Sequence, residues 1–134
     1  MKRLFSSLLS LVLVASLFLV SCSAPPPNLL SGEYRQDIVT VIDTLTTAME
    51  LPEDSSDKAA AQDTARAEIN EFISRYRRDP EVAGLASFLT MGTALNGLAS
   101  HYSAYPNRPV PEKLKQRIAQ EFKQSKIALK REAA

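Results

Sequence analysis

From Tyr34 onward the apolar positions recur at three- and four-residue intervals. Tyr34, Ile38, Val41, Ile42, Leu45 and Met49 share one face of a helix that runs to about Glu50. The stretch LPEDSSD breaks the pattern: Pro52 stops the helix, and Ser55, Ser56 and Asp57 are N-cap candidates for a second one. That segment reaches about Arg78 with Ala61, Ala65, Ile69, Phe72, Ile73 and Tyr76 in register, and its alanine-rich start predicts close approach of a neighbouring helix. After DPEVAG comes the least polar segment, Leu85 to about Ser103, with Leu85, Phe88, Leu89, Leu95, Leu98 and Tyr102 on or near one face; it should be the most enclosed. YPNRPVPEKL then forms a loop, and Pro111 suits the first turn of a last helix striped by Leu114, Ile118, Phe122, Ser125 and Leu129. No β alternation appears, and Asn96-Gly97 lies inside a helical pattern. Four amphipathic segments with short connections predict an all-α fold, a single up-down-up-down four-helix bundle over residues 34–134.

Upstream the pattern changes. Lys2 and Arg3 precede an apolar run from Leu4 to Val20, the layout of a signal peptide over residues 1–21. A membrane span is the competing reading, but roughly 17 residues is the lower limit for crossing a bilayer, and no basic stop-transfer cluster follows. Leu19-Val20-Ser21-Cys22 resembles the lipobox of bacterial lipoproteins, which makes Cys22 the first mature residue and the site of lipidation. One acyl chain binds a membrane reversibly; two or more anchor stably, at about 0.8 kcal/mol per buried CH2. Pro25 to Pro27 stiffen the lipid-anchored, proline-rich linker of residues 22–33. The alternative is an ordinary cleaved secretory protein with a free or buried cysteine.

Composition narrows the function classes. Cleavage before Cys22 leaves 113 residues, enough for one domain, with 14 basic and 15 acidic residues and no field that favours nucleic acid. The charges are unevenly placed: residues 23–65 hold two basic and eight acidic residues, and residues 66–134 hold twelve basic and seven acidic. Such a dipolar surface can orient a partner. With no cysteine after Cys22, the domain stands on packing without a disulfide.

Few residues suggest chemistry. His101 is the only histidine, so zinc spacings are impossible, and a hydrolase pairing of His101 with Ser100 or Ser103 lacks a GxSxG elbow. Gly92 to Gly97 imitates a phosphate loop but is followed by Leu98-Ala99; close helix packing is the better reason for both glycines. Glu53, Asp54 and Asp57 lack the order of a calcium loop and suit a turn ahead of a helix N-terminus. No cofactor or metal is expected. RYRRD, Arg75 to Asp79, offsets a helix C-terminus or forms an arginine cluster around Tyr76 that meets acidic protein surface. The last helix carries Lys113, Lys115, Arg117, Lys123, Lys126, Lys130 and Arg131, either a solvated face or one that meets acidic lipid or protein.

LPEDSSDKAAAQ (51–62), RYRRD (75–79), LTMGTALNGLASHY (89–102), YPNRPVPEKLKQRI (105–118) and EFKQSKIALKR (121–131) together resemble the lumenal lipoprotein family that assists photosystem II assembly and repair. The resemblance implies a non-enzymatic bundle, a monomer when free, tethered by lipid on the lumenal side of the thylakoid membrane. It implies docking on the lumenal loops of an inner chlorophyll-binding antenna protein in immature or damaged photosystem II. Extrinsic subunits would be kept off until the manganese-calcium cluster, which belongs to the partner, is assembled. Charge, aromatic content and loop position single out Arg75, Tyr76, Arg77, Arg78, Asn107 and Arg108 as partner-binding candidates. A general envelope lipoprotein acting as scaffold or spacer is the rival reading.

Overall fold

The computed structural model describes residues 29–133, which form four helices: α1 Tyr34–Glu50, α2 Lys58–Tyr76, α3 Ala86–Ala104 and α4 Glu112–Glu132. Each packs on its chain neighbours, and α4 closes against α1, so the four form a ring around one core. This is the all-α four-helix bundle that the periodicity predicts.

Ile38, Val41, Leu45, Ala65, Ile69, Phe72, Met91, Leu95, Leu98 and Ile118 fill the interior, nearly every one fully buried. α3 contributes the largest set of buried side chains, in line with its low polarity. Its buried stripe runs Phe88, Met91, Leu95, Leu98, Tyr102, which turns Leu89 outward: Leu89 is 59% exposed and does not belong to the core face. A Cβ added at Gly92 or Gly97 would meet nothing within 4 Å, so close packing does not explain these glycines. The alanine-rich start of α2 likewise opens space: Ala61 and Thr64 face Thr44, Thr47 and Ala48 across a cleft of about 440 Å³ beside α1.

Helix ends depart from the sequence expectations in chemistry more than in position. Asp57 is the N-cap of α2 but makes no side-chain cap bond; instead Ser55 Oγ accepts from the Asp57 amide at 3.3 Å. Pro111 sits at the N-cap of α4, one place before the first turn, and its carbonyl accepts from Lys115. The N-terminus of α3 is served from another helix. Glu132, in the last turn of α4, accepts from the Ser87 amide at 2.9 Å and from Ser87 Oγ at 2.6 Å. A carboxylate thus meets the positive end of α3 and satisfies donors that no local cap reaches. Tyr34 Oη shares a 2.6 Å hydrogen bond with Ser87 Oγ, and Ser125 Oγ donates to the Ser87 carbonyl, so α1, α3 and α4 meet at this residue.

Candidate partner-binding site

The six candidates do not form one surface. Four lie where α2 ends. Arg75 pairs with Glu71 at 3.0 Å across one helical turn and is only half-exposed. Tyr76 turns inward, 3% exposed, and packs against Tyr34 and Phe72 with ring centroids 5.1 Å away in both cases. Its hydroxyl donates to Asp37, and burial followed by that hydrogen bond raises its pKa. Tyr76 is therefore a core residue and not the exposed centre of an arginine cluster. Arg77 and Arg78 are exposed and have no ion-pair partner among the described residues.

Asp37 organises this end. It is 1% exposed, and it accepts from the Ser31 amide at 2.7 Å, Ser31 Oγ at 2.6 Å, the Gly32 amide at 3.0 Å and Tyr76 Oη at 2.5 Å. Burial alone would push the carboxyl up, but these hydrogen bonds outweigh it and hold the pKa below the usual carboxylate range. Gly32 adopts φ +94, open to glycine at little cost, which lets two successive amides turn toward one carboxylate. The chain entering α1 is thereby fixed to the bundle, with Leu30 buried beside it. Cys22 lies outside the described residues.

Asn107 and Arg108 lie at the opposite end, in the loop between α3 and α4. Gln62, near the start of α2, clamps that loop: its Oε1 accepts from the Asn107 amide at 3.2 Å and its Nε2 donates to the Arg108 carbonyl at 3.3 Å. Asn107 has φ +63, a left-handed conformation that asparagine tolerates. From Gln62 to Arg75 the helix rises about 20 Å, so the two groups of candidates are well separated. At this end Glu53, His101, Tyr105, Asn107, Arg108 and Pro109 surround an open pocket of about 520 Å³, with Tyr105 54% exposed.

His101 is buried against the rings of Tyr102 and Tyr105, with centroids at 6.1 and 5.4 Å, and its Nε2 has no hydrogen-bond partner among the described residues. Ser100 and Ser103 point to solvent, and neither bonds to it. Among the described residues no three His, Cys, Asp or Glu side chains gather as a metal site, and no helix is long and apolar enough to cross a membrane.

Sequence reasoning missed Asp37, Gln62 and Tyr105. The one available signal was an isolated acid in an otherwise apolar register at Asp37, directly before Ile38.

Comparison with known proteins agrees with this architecture. The family model described as Photosystem II Pbs27 matches residues 4–129. The chain is 51% identical over 133 residues to the photosystem II assembly factor lipoprotein Psb27 of Thermosynechococcus vestitus, covering 99% of this chain and 98% of that one. It is 47% identical over 131 residues to the photosystem II lipoprotein Psb27 of Synechocystis sp., covering 98% and 96%. The solution structure of Psb27 from cyanobacterial photosystem II superposes with a TM-score of 0.73 at 49% identity, covering 82% of this chain and 94% of the other. The first of these relatives is named an assembly factor lipoprotein and the second a lipoprotein, and neither is named as an enzyme. With four helices in this order and a match over almost its whole length, the chain belongs to the photosystem II Pbs27 family.

Proposed function

We propose that the chain is a lipid-anchored accessory factor that binds immature or damaged photosystem II on the lumenal side of the thylakoid membrane and assists its assembly and repair. The observation that carries this reading is the near full-length match to a photosystem II assembly factor lipoprotein, which spans the lipobox-like Leu19 to Cys22 as well as the bundle. Cys22 carries the lipid in this reading. The docking partner is the lumenal surface of an inner chlorophyll-binding antenna protein, and docking keeps the extrinsic subunits off until the manganese-calcium cluster is assembled.

Physical considerations support a transient partner. A membrane tether raises the effective concentration near a membrane-embedded complex, so a small interface of under about 1,200 Å² suffices and stays reversible. Release follows when maturation reshapes the docking loops so that they favour a competitor. With Tyr76 buried, the surface best suited to a protein partner is the far-end loop, where Tyr105, Asn107 and Arg108 sit on a backbone that Gln62 holds in place. Aromatic and arginine side chains on a pre-ordered loop have the composition of an interface anchor.

The experiment is affinity recovery of the tagged protein from thylakoid membranes, with pigment spectra and mass spectrometry of what accompanies it. Manganese-poor photosystem II containing its inner antenna is the expected result, and a paired Tyr105→Ala and Arg108→Ala variant should recover much less of it. Recovery of only fully active centres, or of complexes without chlorophyll, would overturn the assembly reading and favour a general scaffold.

A further inference from the structure

We propose that the end of the bundle at which the chain enters is a lipid-facing surface that binds anionic headgroups through Arg77, Arg78, Lys130 and Arg131. The inference rests on the reading of Cys22 as the lipid anchor.

Hydrogen bonds place these residues together at one end. Tyr76 reaches Asp37, Tyr34 shares a hydrogen bond with Ser87, and Ser87 donates to Glu132, so the start of α1, the end of α2, the start of α3 and the end of α4 are all there. Arg77 and Arg78 follow α2 directly, and Lys130 and Arg131 occupy the last turn of α4.

At this end acids and bases are disposed oppositely. Asp37 is enclosed by Ser31, Gly32 and Tyr76; Glu132 is held by Ser87; Glu71 is paired with Arg75; and Asp79 Oδ1 accepts from the Glu81 amide at 2.9 Å. Asp37 is buried, and Glu71, Asp79 and Glu132 are engaged by the protein's own donors, leaving Glu33 and Glu81 as the free exposed acids. The four cations all point outward and have no ion-pair partner among the described residues. At this end a phosphate plane would meet four exposed guanidinium and ammonium groups against two exposed carboxylates.

The tether brings the plane to the same end. The described chain begins at Leu29, and Ser31 and Gly32 are fixed to Asp37. From Cys22 to Leu29 an extended chain spans at most about 25 Å. The far end carries exposed Glu50, Glu53, Asp54, Asp57 and Glu112, which outnumber its exposed Arg108 and Lys113 and half-buried Lys115. An anionic surface therefore attracts the anchored end and repels the other, giving the bundle a preferred orientation with the Tyr105 loop pointing away from the membrane.

The test uses the lipidated protein purified from its own membranes, with one reporter cysteine introduced by Ser74→Cys near the anchored end or by Ser56→Cys at the far end. Each is labelled with a fluorophore and placed on vesicles of phosphatidylcholine alone, or of phosphatidylcholine and phosphatidylglycerol in equal amounts, with a headgroup-attached quencher. Quenching at the Ser74 position should rise on the phosphatidylglycerol vesicles, fall again with salt, and exceed that at the Ser56 position. Combining Arg77→Ser, Arg78→Ser, Lys130→Ser and Arg131→Ser should abolish the rise, whereas Lys113→Ser with Lys115→Ser should keep it. Equal quenching at both positions, or a rise that survives the fourfold change, would overturn the proposal. So would a fourfold variant that keeps the vesicle response but no longer recovers photosystem II, since the cations would then serve a protein partner. Mass spectrometry of the same preparation tests the anchor separately. If Cys22 carries no lipid, sedimentation of the unlipidated chain still decides: about tenfold or more partition onto phosphatidylglycerol vesicles over phosphatidylcholine is expected from four exposed cations, and equal partition would overturn it.

Discussion

Tyr76, in the last turn of α2, donates its hydroxyl to Oδ2 of Asp37, in the first turn of α1, across 39 residues of sequence and 2.5 Å of space. The same carboxylate receives Ser31 and Gly32, so one buried acid joins two helices and the incoming chain. Replacing Tyr76→Phe leaves that acid short of a donor and should cost about 1.5 to 3 kcal/mol in urea denaturation at neutral pH. Because the folded-state pKa of Asp37 lies below its ordinary 3.8, the stabilisation is present above that value and is lost as pH falls through the folded pKa. The penalty of Tyr76→Phe should accordingly shrink in acid, and a constant penalty between neutral and strongly acidic solution would count against this account.

Tyr102 provides the contrast. It is 1% exposed, its hydroxyl has no hydrogen-bond partner among the described residues, and burial pushes its pKa up to about 12. Tyr102→Phe removes a polar group without orphaning another, so stability should hold or rise by up to about 1 kcal/mol, measured beside Tyr76→Phe under the same conditions. Equal losses in the two variants would contradict the assignment.

Glu68 is 2% exposed, with one carboxyl oxygen lacking a partner among the described residues. Burial pushes its pKa from 4.5 up to about 7, with the Thr44 hydroxyl opposing and Glu71 and Asp37 adding to the rise. Between those values the folded protein binds more protons than the unfolded one, so this group's contribution is full below about pH 4.5 and is lost as pH rises through about 7. Glu68→Gln should therefore stabilise the bundle at pH above 8, by on the order of 2 kcal/mol, and change little near pH 4. Thermal melts across that range supply the comparison.

Gly92 and Gly97 stand in a helix with room for a methyl group. Alanine at either place restricts the unfolded chain and favours the helix, so each of Gly92→Ala and Gly97→Ala should add about 0.5 to 1 kcal/mol. A loss of stability in either would mean that α3 moves closer to a neighbour than this structure has it.

Glu132→Ala should remove the carboxylate that closes the first turn of α3. A cost of about 1 to 2 kcal/mol is expected, with a matching fall in thermal midpoint.

The helix spans were legible because their signals are local. Tyr34 to Glu50 is bounded by the sequence pattern as it is by the structure, and the loops contain the prolines and glycine that break each stripe, although α2 ends at Tyr76, two residues before the expected Arg78. Leu89 was misread because α3 is so apolar that its periodicity hardly distinguishes one face from the next. Tyr76 obeyed two signals at once, lying on the core stripe of α2 and inside an arginine run. Packing prevailed because Asp37 offers a buried acceptor for its hydroxyl, a pairing that no local spacing encodes. The same holds for Gln62, whose two hydrogen bonds lie 45 and 46 residues away. The candidate surface was thus read residue by residue, while its division between two ends of the bundle required the fold.

The dependence of α3 on Glu132 also sets an order in time. Ser87 is synthesised 45 residues before the side chain that satisfies it, so this contact between the first turn of α3 and the last turn of α4 forms only once α4 has been made. Up to that moment the growing polypeptide lacks the contact that seals this end. This end of the bundle therefore closes late: until α4 is complete, the first-turn donors of α3 are left to water.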